Sequence, residues 1–246
     1  MIRVIVLILW LGLTFSVDAQ EKSKWSGTAG IGGSYFRGNV NKMDIRSDGS
    51  VSHADSVFEY SFFYRISYGE SNFIKNNHEF SLGTKFDWRP KDIFTPFFAL
   101  TGYKNEFTGY LIRLSVLGGV KYTIIDQAAS DYSLSMAVQY DAERYTPPLK
   151  IDEVQKPNKE NIRLSVRPKI KQKINDTISL EHISFIRPII SDFSNIQAES
   201  QTILSNKLTE SVSLNIVHEF TYDSKPPSST ILNANNSMIV SLRVRF

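Results

Sequence analysis

The 246-residue sequence contains no cysteine. No disulfide framework or thiolate metal site can hold it, and no lipid anchor can be attached through an N-terminal cysteine. After the first twenty residues it also lacks any run of about 18 apolar residues, so a helical membrane span is excluded. The formal net charge is only +3 and is well mixed along the chain, so no nucleic acid is expected as a partner. Four histidines are present, and none has a metal-binding spacing such as His-Glu-x-x-His. No Gly-x-Ser-x-Gly elbow occurs. The stretches "GIGGS" and "LGG" lack the strand–loop–helix context of a phosphate cradle. Neither a metal nor a cofactor is expected.

The N-terminus is of a different kind from the remainder. "MIRVIVLILWLGLTFSVDAQ" has Arg3, an apolar stretch from Val4 to Phe15, and Val17-Asp18-Ala19. This is the pattern of a secretory signal peptide cleaved after Ala19. The division expected is a signal peptide over 1–19 and one β-barrel domain over 20–246. The alternative, a retained anchor, needs a longer apolar stretch.

The mature chain alternates. In "FEYSFFYRISY", Phe58, Tyr60, Phe62, Tyr64, Ile66 and Tyr68 share one face, and Glu59, Ser61, Phe63, Arg65 and Ser67 the other. A helix cannot collect the first set on one side. Similar rows run from Tyr110 through Ile112 and Leu114 to Ile124, from Tyr132 to Tyr140, from Ile162 to Ile170, and from Val212 to Tyr222. The closing segment "NSMIVSLRVRF" sets Met238, Val240, Leu242, Val244 and Phe246 against Ser241, Arg243 and Arg245.

About twelve strands are expected, near 25–36, 43–52, 57–69, 77–88, 96–104, 108–125, 131–144, 160–173, 177–187, 196–206, 210–222 and 236–246. Most are longer than the usual five or six residues and long enough to cross a bilayer at a tilt, which takes about 9–11. Short connections fall on one rim. Longer ones, including "GESNFIKNN", "RYTPPLKIDEVQKPNKE" and "DSKPPSSTILNAN", fall on the other. Gly38-Asn39 reads as a tight turn. Pro168 predicts a bulge or bend in its strand, and "EHISFIRPII" predicts a change of parity near Ile183. Aromatics gather near strand ends: Trp25, Phe58, Trp88, Phe97, Tyr122, Tyr132 and Phe246 on one rim, and Tyr35, Tyr68, Tyr103, Tyr110, Tyr140 and Tyr222 on the other. Two aromatic belts suit two membrane interfaces.

Alternation alone does not say which face is inside, since a soluble barrel around an apolar ligand also alternates. Strand length, the belts and loop asymmetry favour the apolar face outward. The apolar rows carry no Lys, Arg, Asp or Glu, and at mid-membrane an Arg or Lys costs about 2–4 kcal/mol. Hydrocarbon requires every backbone N–H and C=O to be paired, so the sheet must close. The fold expected is all-β: a closed antiparallel up-and-down transmembrane β-barrel in the Gram-negative outer membrane, reached after export.

The opening hairpin, "WSGTAGIGGSYFRGNVNKMDIRSDGSV", has a small-residue strand, Gly38-Asn39, and a second alternating strand. It resembles the opening hairpin of the domain of unknown function 481 family, YdiY-like proteins also described as salt-stress-induced outer membrane proteins. The resemblance implies an outer-membrane barrel and supplies no substrate or catalytic residue. Phe246, on an alternating strand, resembles the signal read by the barrel-assembly machinery, which with outer-membrane lipid is an expected partner.

The inward rows hold the candidate chemistry. Asp141, Glu143 and Arg163 fall on neighbouring strands where opposite charges attract. Lys121, Lys169, Lys171, Arg243 and Arg245 all fall in the half nearer the termini. They form either a basic vestibule that draws a small anionic solute through a narrow pore, or part of a lumen cross-linked by ion pairs with Glu59, Glu181 and Glu219. An enzyme acting on lipid has one candidate pair, His218 with Ser200, outweighed by the reading of a neutral interfacial histidine. A non-enzymatic narrow pore or envelope-integrity barrel is the expected role.

Overall fold

The computed structural model describes residues 24–36, 41–145, 158–227 and 231–246. The signal segment 1–19, the Gly38-Asn39 turn and most of the loop through Pro147-Pro148 lie outside the described residues. Twelve strands follow one another: β1 (Trp25–Phe36), β2 (Lys42–Ala54), β3 (Phe58–Ser71), β4 (Ile74–Trp88), β5 (Phe94–Asn105), β6 (Tyr110–Gln127), β7 (Ser130–Tyr145), β8 (Lys159–Lys173), β9 (Ile178–Ile189), β10 (Asp192–Lys207), β11 (Val212–Asp223) and β12 (Ala234–Arg245). A 3₁₀ turn, Glu106–Thr108, separates β5 from β6.

Each strand pairs antiparallel with its sequence neighbours, and β1 closes on β12 from Thr28↔Arg245 to Gly32↔Ser241. Closure removes the free edges that an open sheet would leave. This is an up-and-down transmembrane barrel.

The distribution of burial is the reverse of a soluble domain. Phe62 and Tyr60 are each 50 % exposed on the outer wall, whereas Asp141 and Asn215 are fully buried and Arg163 is 2 % exposed. Apolar side chains facing out while charges pack inside is the arrangement that an apolar surrounding selects. Exposed aromatics ring both ends of the wall. Trp25, Trp88, Phe94, Tyr122 and Phe246 lie toward the rim with the termini, and Tyr35, Tyr68, Tyr140 and Tyr222 toward the opposite rim.

Several expectations are corrected. "GESNFIKNN" is not a long loop: β3 and β4 run through it and meet in a two-residue turn, with Asn72 at φ 50° and Phe73 at φ 65°. Pro168 causes no bulge, because β7 and β8 keep one register through Leu134↔Pro168. The parity change near Ile183 does not occur either. The register between β8 and β9 is constant from Arg163↔Ile189 to Lys173↔Ser179, and the shift lies instead in β10, between Asp192 and Ile196. Ile183, Phe185 and Ile189 are lumen residues, which made the inward row look apolar.

Three aromatics assigned to the belts point inward. A register shift between Tyr110 and Ile112 turns Tyr110 into the lumen, where it is 6 % exposed. Tyr103 pairs with Ser81 and Arg113 on the inner face. Phe97 pairs with the buried Asp87 and lies 5.2 Å from the Lys85 ammonium.

Candidate functional site: a lumen crossed by ion pairs

Inward side chains of β6 to β11 build the first half of a polar network. Arg163 on β8 donates from Nε to Asp141 Oδ2 on β7 at 3.1 Å, and its Nη2 lies 3.7 Å from Glu143 Oε1. Asp141 also accepts from Gln139 Nε2 at 2.7 Å and from the Ser115 hydroxyl. Glu143 accepts from Tyr145 Oη at 2.6 Å and Asn161 Nδ2 at 3.0 Å. These carboxylates are buried but supplied with donors, the condition under which buried charge is tolerated.

From that cluster a chord crosses the lumen. Arg113 on β6 donates to Gln197 Oε1 on β10 at 3.0 Å and lies 4.0 Å from Glu199 Oε1. Arg187 on β9 also pairs with Glu199. Gln197 Nε2 donates to Tyr110 Oη at 2.8 Å, and Tyr110 Oη donates to Asp223 Oδ2 at 3.2 Å. Strands β7, β8 and β9 stand between β6 and β10 in the wall, so these contacts run across the interior. Tyr103 and Tyr110 flank the Arg113 guanidinium at 5.0 and 4.8 Å, holding it in line.

A second chord arrives from the other side. Arg65 on β3 lies 3.5 Å from Glu219 Oε1 on β11 and 3.9 Å from Glu79 Oε1 on β4. Arg46 on β2 donates to Glu219 Oε2 at 2.5 Å, and Gln201 Nε2 donates to Glu219 Oε1 at 2.6 Å. Both chords therefore end on β10 and β11. Beside them Ile203, Val217 and Ile239 form an inward apolar row.

The chords divide the interior. A cavity of about 870 Å³ opens toward the rim away from the termini, over Arg46, Arg65, Glu79, Asn105 and Glu219. One of about 410 Å³ opens at the opposite rim, over Lys171, Glu181, Asn215, Arg243 and Arg245.

Two of the five basic candidates are held in ion pairs. Lys169 is 2.7 Å from Asp131, and Arg243 is 2.8 Å from Asp48. Lys171 is registered against Glu181 and Asp131, Lys121 against Thr95 and Ser135, and Arg245 against Thr28. Phe246 lies on the wall: its backbone pairs with Gly27 at 2.8 and 3.0 Å, and its ring covers Gly27, where a Cβ would meet it at 2.5 Å. Sequence reading missed Arg46 and Arg113, whose partners lie across the lumen, and Arg187 and Glu199, which meet between the neighbouring strands β9 and β10. Their inward parity was the available signal.

His218 and Ser200 are not hydrogen-bonded to each other. His218 is registered against Thr202 and Ser200 against Phe220. On the same strands the His182 imidazole is bonded: its Nδ1 is 2.8 Å from Thr202 Oγ1 and its Nε2 is 2.9 Å from Ser184 Oγ.

A family model described as "Protein of unknown function, DUF481" matches residues 29–246. No curated protein sequence matches. Among solved structures, the translocator domain of autotransporter NalP from Neisseria meningitidis is 12 % identical, with a TM-score of 0.50 over 99 % of this chain and 96 % of that one. The NanC porin is 10 % identical, with a TM-score of 0.54 over 88 % of this chain and 98 % of that one. At such identity these structures share the fold.

Proposed function

The chain belongs to the DUF481 family, and from that premise we propose that it is a non-enzymatic outer-membrane barrel of a Gram-negative bacterium, resting with its lumen latched. Its role in this reading is structural support of the envelope. Passage of solute requires the latch to part. The observation that carries the reading is the chord from Arg113 on β6 to Gln197 and Glu199 on β10, met by Arg65 and Arg46 on Glu219. Arg65 and Glu199 are 38 % and 41 % exposed, so each pair alone is weak; the latch holds because several contacts, with Arg113, Gln197 and Arg46 buried, must part together.

Segment 1–19 would direct export and be removed, and Phe246 would be read by the assembly machinery. The rim carrying the termini then faces the periplasm, and the larger cavity faces outward.

A narrow pore for a small anion is the second reading. It is favoured because most of the partition is charged side chains, which can exchange partners for ion and water, and because Arg243, Arg245 and Lys171 line the inner cavity. Planar-bilayer recording separates the two. The latched barrel is expected to be silent at low voltage while still showing heat-modifiable gel mobility. Steady, discrete open steps from the wild type would overturn the latched reading. In that case, replacing Lys169, Lys171, Arg243 and Arg245 with Gln should shift the reversal potential if anions are preferred.

A further inference from the structure

Outward polar side chains within the apolar band are few and scattered, such as Ser47 on β2 and Thr84 on β4, except on β9 to β11, where they gather in one compact area. The register sets His182, Thr202 and His218 side by side, and Ser184 beside Ser200 in the next outward row. Leu180, Leu204 and Ile216 lie below the patch, and Ile186, Ala198 and Tyr222 above it. The five polar residues therefore sit inside the apolar band, in the half away from the termini and one row below the Tyr222 level of the aromatic ring.

Hydrocarbon offers no hydrogen bonds, so an unpaired polar group there costs several kcal/mol. His182 is satisfied by Thr202 and Ser184. Among the described residues the His218 imidazole and the Ser200 hydroxyl have no hydrogen-bond partner, although both are only part-exposed. Such groups on a membrane-facing surface are met by a second protein surface that supplies donors and acceptors.

We propose that this patch is a self-association surface, occupied by a second copy of the same chain. The inference rests on the membrane placement proposed above. Imidazole and hydroxyl each both donate and accept, and the patch contains no carboxylate, Lys or Arg. It is thus its own complement in hydrogen bonding. A two-fold axis along the membrane normal, passing β10, sets β9 of one copy against β11 of the other. That brings His218 toward the partner's Ser184 hydroxyl and Ser200 toward its own counterpart, an isologous contact. A lipid-ester hydrolase built on His182 and Ser184 is the competing use. It is disfavoured because the His182 imidazole is oriented by the Thr202 hydroxyl and not by a carboxylate.

The cysteine-free chain allows a direct test. Ser200→Cys and, on β12 away from the patch, Val244→Cys are refolded into phosphatidylcholine vesicles and oxidised. The proposal expects Ser200→Cys to cross-link at least about tenfold faster than Val244→Cys. In energy transfer between labelled copies, His218→Leu combined with Ser200→Ala should weaken association by about tenfold or more. His218→Gln, which keeps a donor and an acceptor, should retain it. Heat-modifiable mobility verifies that each variant is folded. Equal cross-linking at both positions, or a double variant that associates like the wild type, overturns the proposal. So does phospholipid hydrolysis by monomeric barrels that is lost in Ser184→Ala, which would assign the patch to catalysis. Failure to insert into vesicles at all would instead defeat the membrane placement itself.

Discussion

The Arg163 guanidinium and the Asp141 carboxylate meet at 3.1 Å between adjacent strands, with side chains 2 % and 0 % exposed. A pair this buried depends on both members. Arg163→Ala leaves Asp141 and Glu143 without their cation and is expected to destabilise the barrel by about 3–5 kcal/mol. The double change Arg163→Met with Asp141→Leu should cost much less, since no charge is stranded. Urea unfolding in lipid vesicles checks both values, and a double variant as unstable as the single one would show that the surrounding hydroxyls and amides, not the ion pair, set the penalty.

The chords make a prediction about permeation. Arg113→Ala removes the side chain that ties β6 to both Gln197 and Glu199 on β10, leaving the Tyr110 hydroxyl on Gln197 as the remaining link. Combined with Arg65→Ala, which loosens the approach to Glu219, it should turn a silent barrel into one with discrete conductance steps. Either change alone leaves one chord in place and should give smaller or briefer openings. Current from the double variant indistinguishable from background would mean that the apolar row of Ile203, Val217 and Ile239 is the true barrier.

Much of the fold was legible because a period of two is a direct record of a wall with two solvents. The run from Phe58 to Tyr68 needs no neighbour to be recognised as a strand. What was not legible depended on register. Tyr110 keeps the parity of Ile112 in the sequence, yet one shifted pair turns its ring inward, because a slip of one residue exchanges the two faces. The reach of Arg113 to β10 and of Arg46 to β11 is invisible for a related reason. Side chains that meet across a closed cylinder belong to strands with no fixed separation in sequence. His182 betrays nothing in isolation, and only the pairing of β9 with β10 shows its hydroxyl neighbours.

The two-residue turn joining β3 to β4 carries Asn72 and Phe73 at positive φ. Asparagine tolerates that region, whereas a bulky residue there is strained by roughly 1–2 kcal/mol. The Phe73 ring is 82 % exposed, so its removal sacrifices little packing. Phe73→Gly is therefore expected to stabilise the barrel by about 1 kcal/mol, measured as a higher urea midpoint without a change of slope. Loss of stability would mean that the ring makes contacts with lipid headgroups that outweigh the backbone strain.

Asp55 heads the short turn between β2 and β3, outside the membrane-spanning segments. Its Oδ1 accepts from the amides of Phe58 and Val57, both at 2.7 Å. Those two bonds, first that from Phe58, hold the carboxyl below its ordinary value of 3.8. A depressed folded value means the ionised form is favoured by folding. The stabilisation is present above the unfolded value near 3.8 and is lost as pH falls through the lower folded value. In ¹³C-detected titration of the refolded barrel, Asp55 should remain ionised below the pH at which an unstructured aspartate protonates. The Asp55→Asn turn should lose that pH dependence in the acidic range while keeping an acceptor for both amides. If Asp55 titrates like a free aspartate, the two amide bonds are not formed in the membrane-embedded state, and the turn is held by its backbone alone.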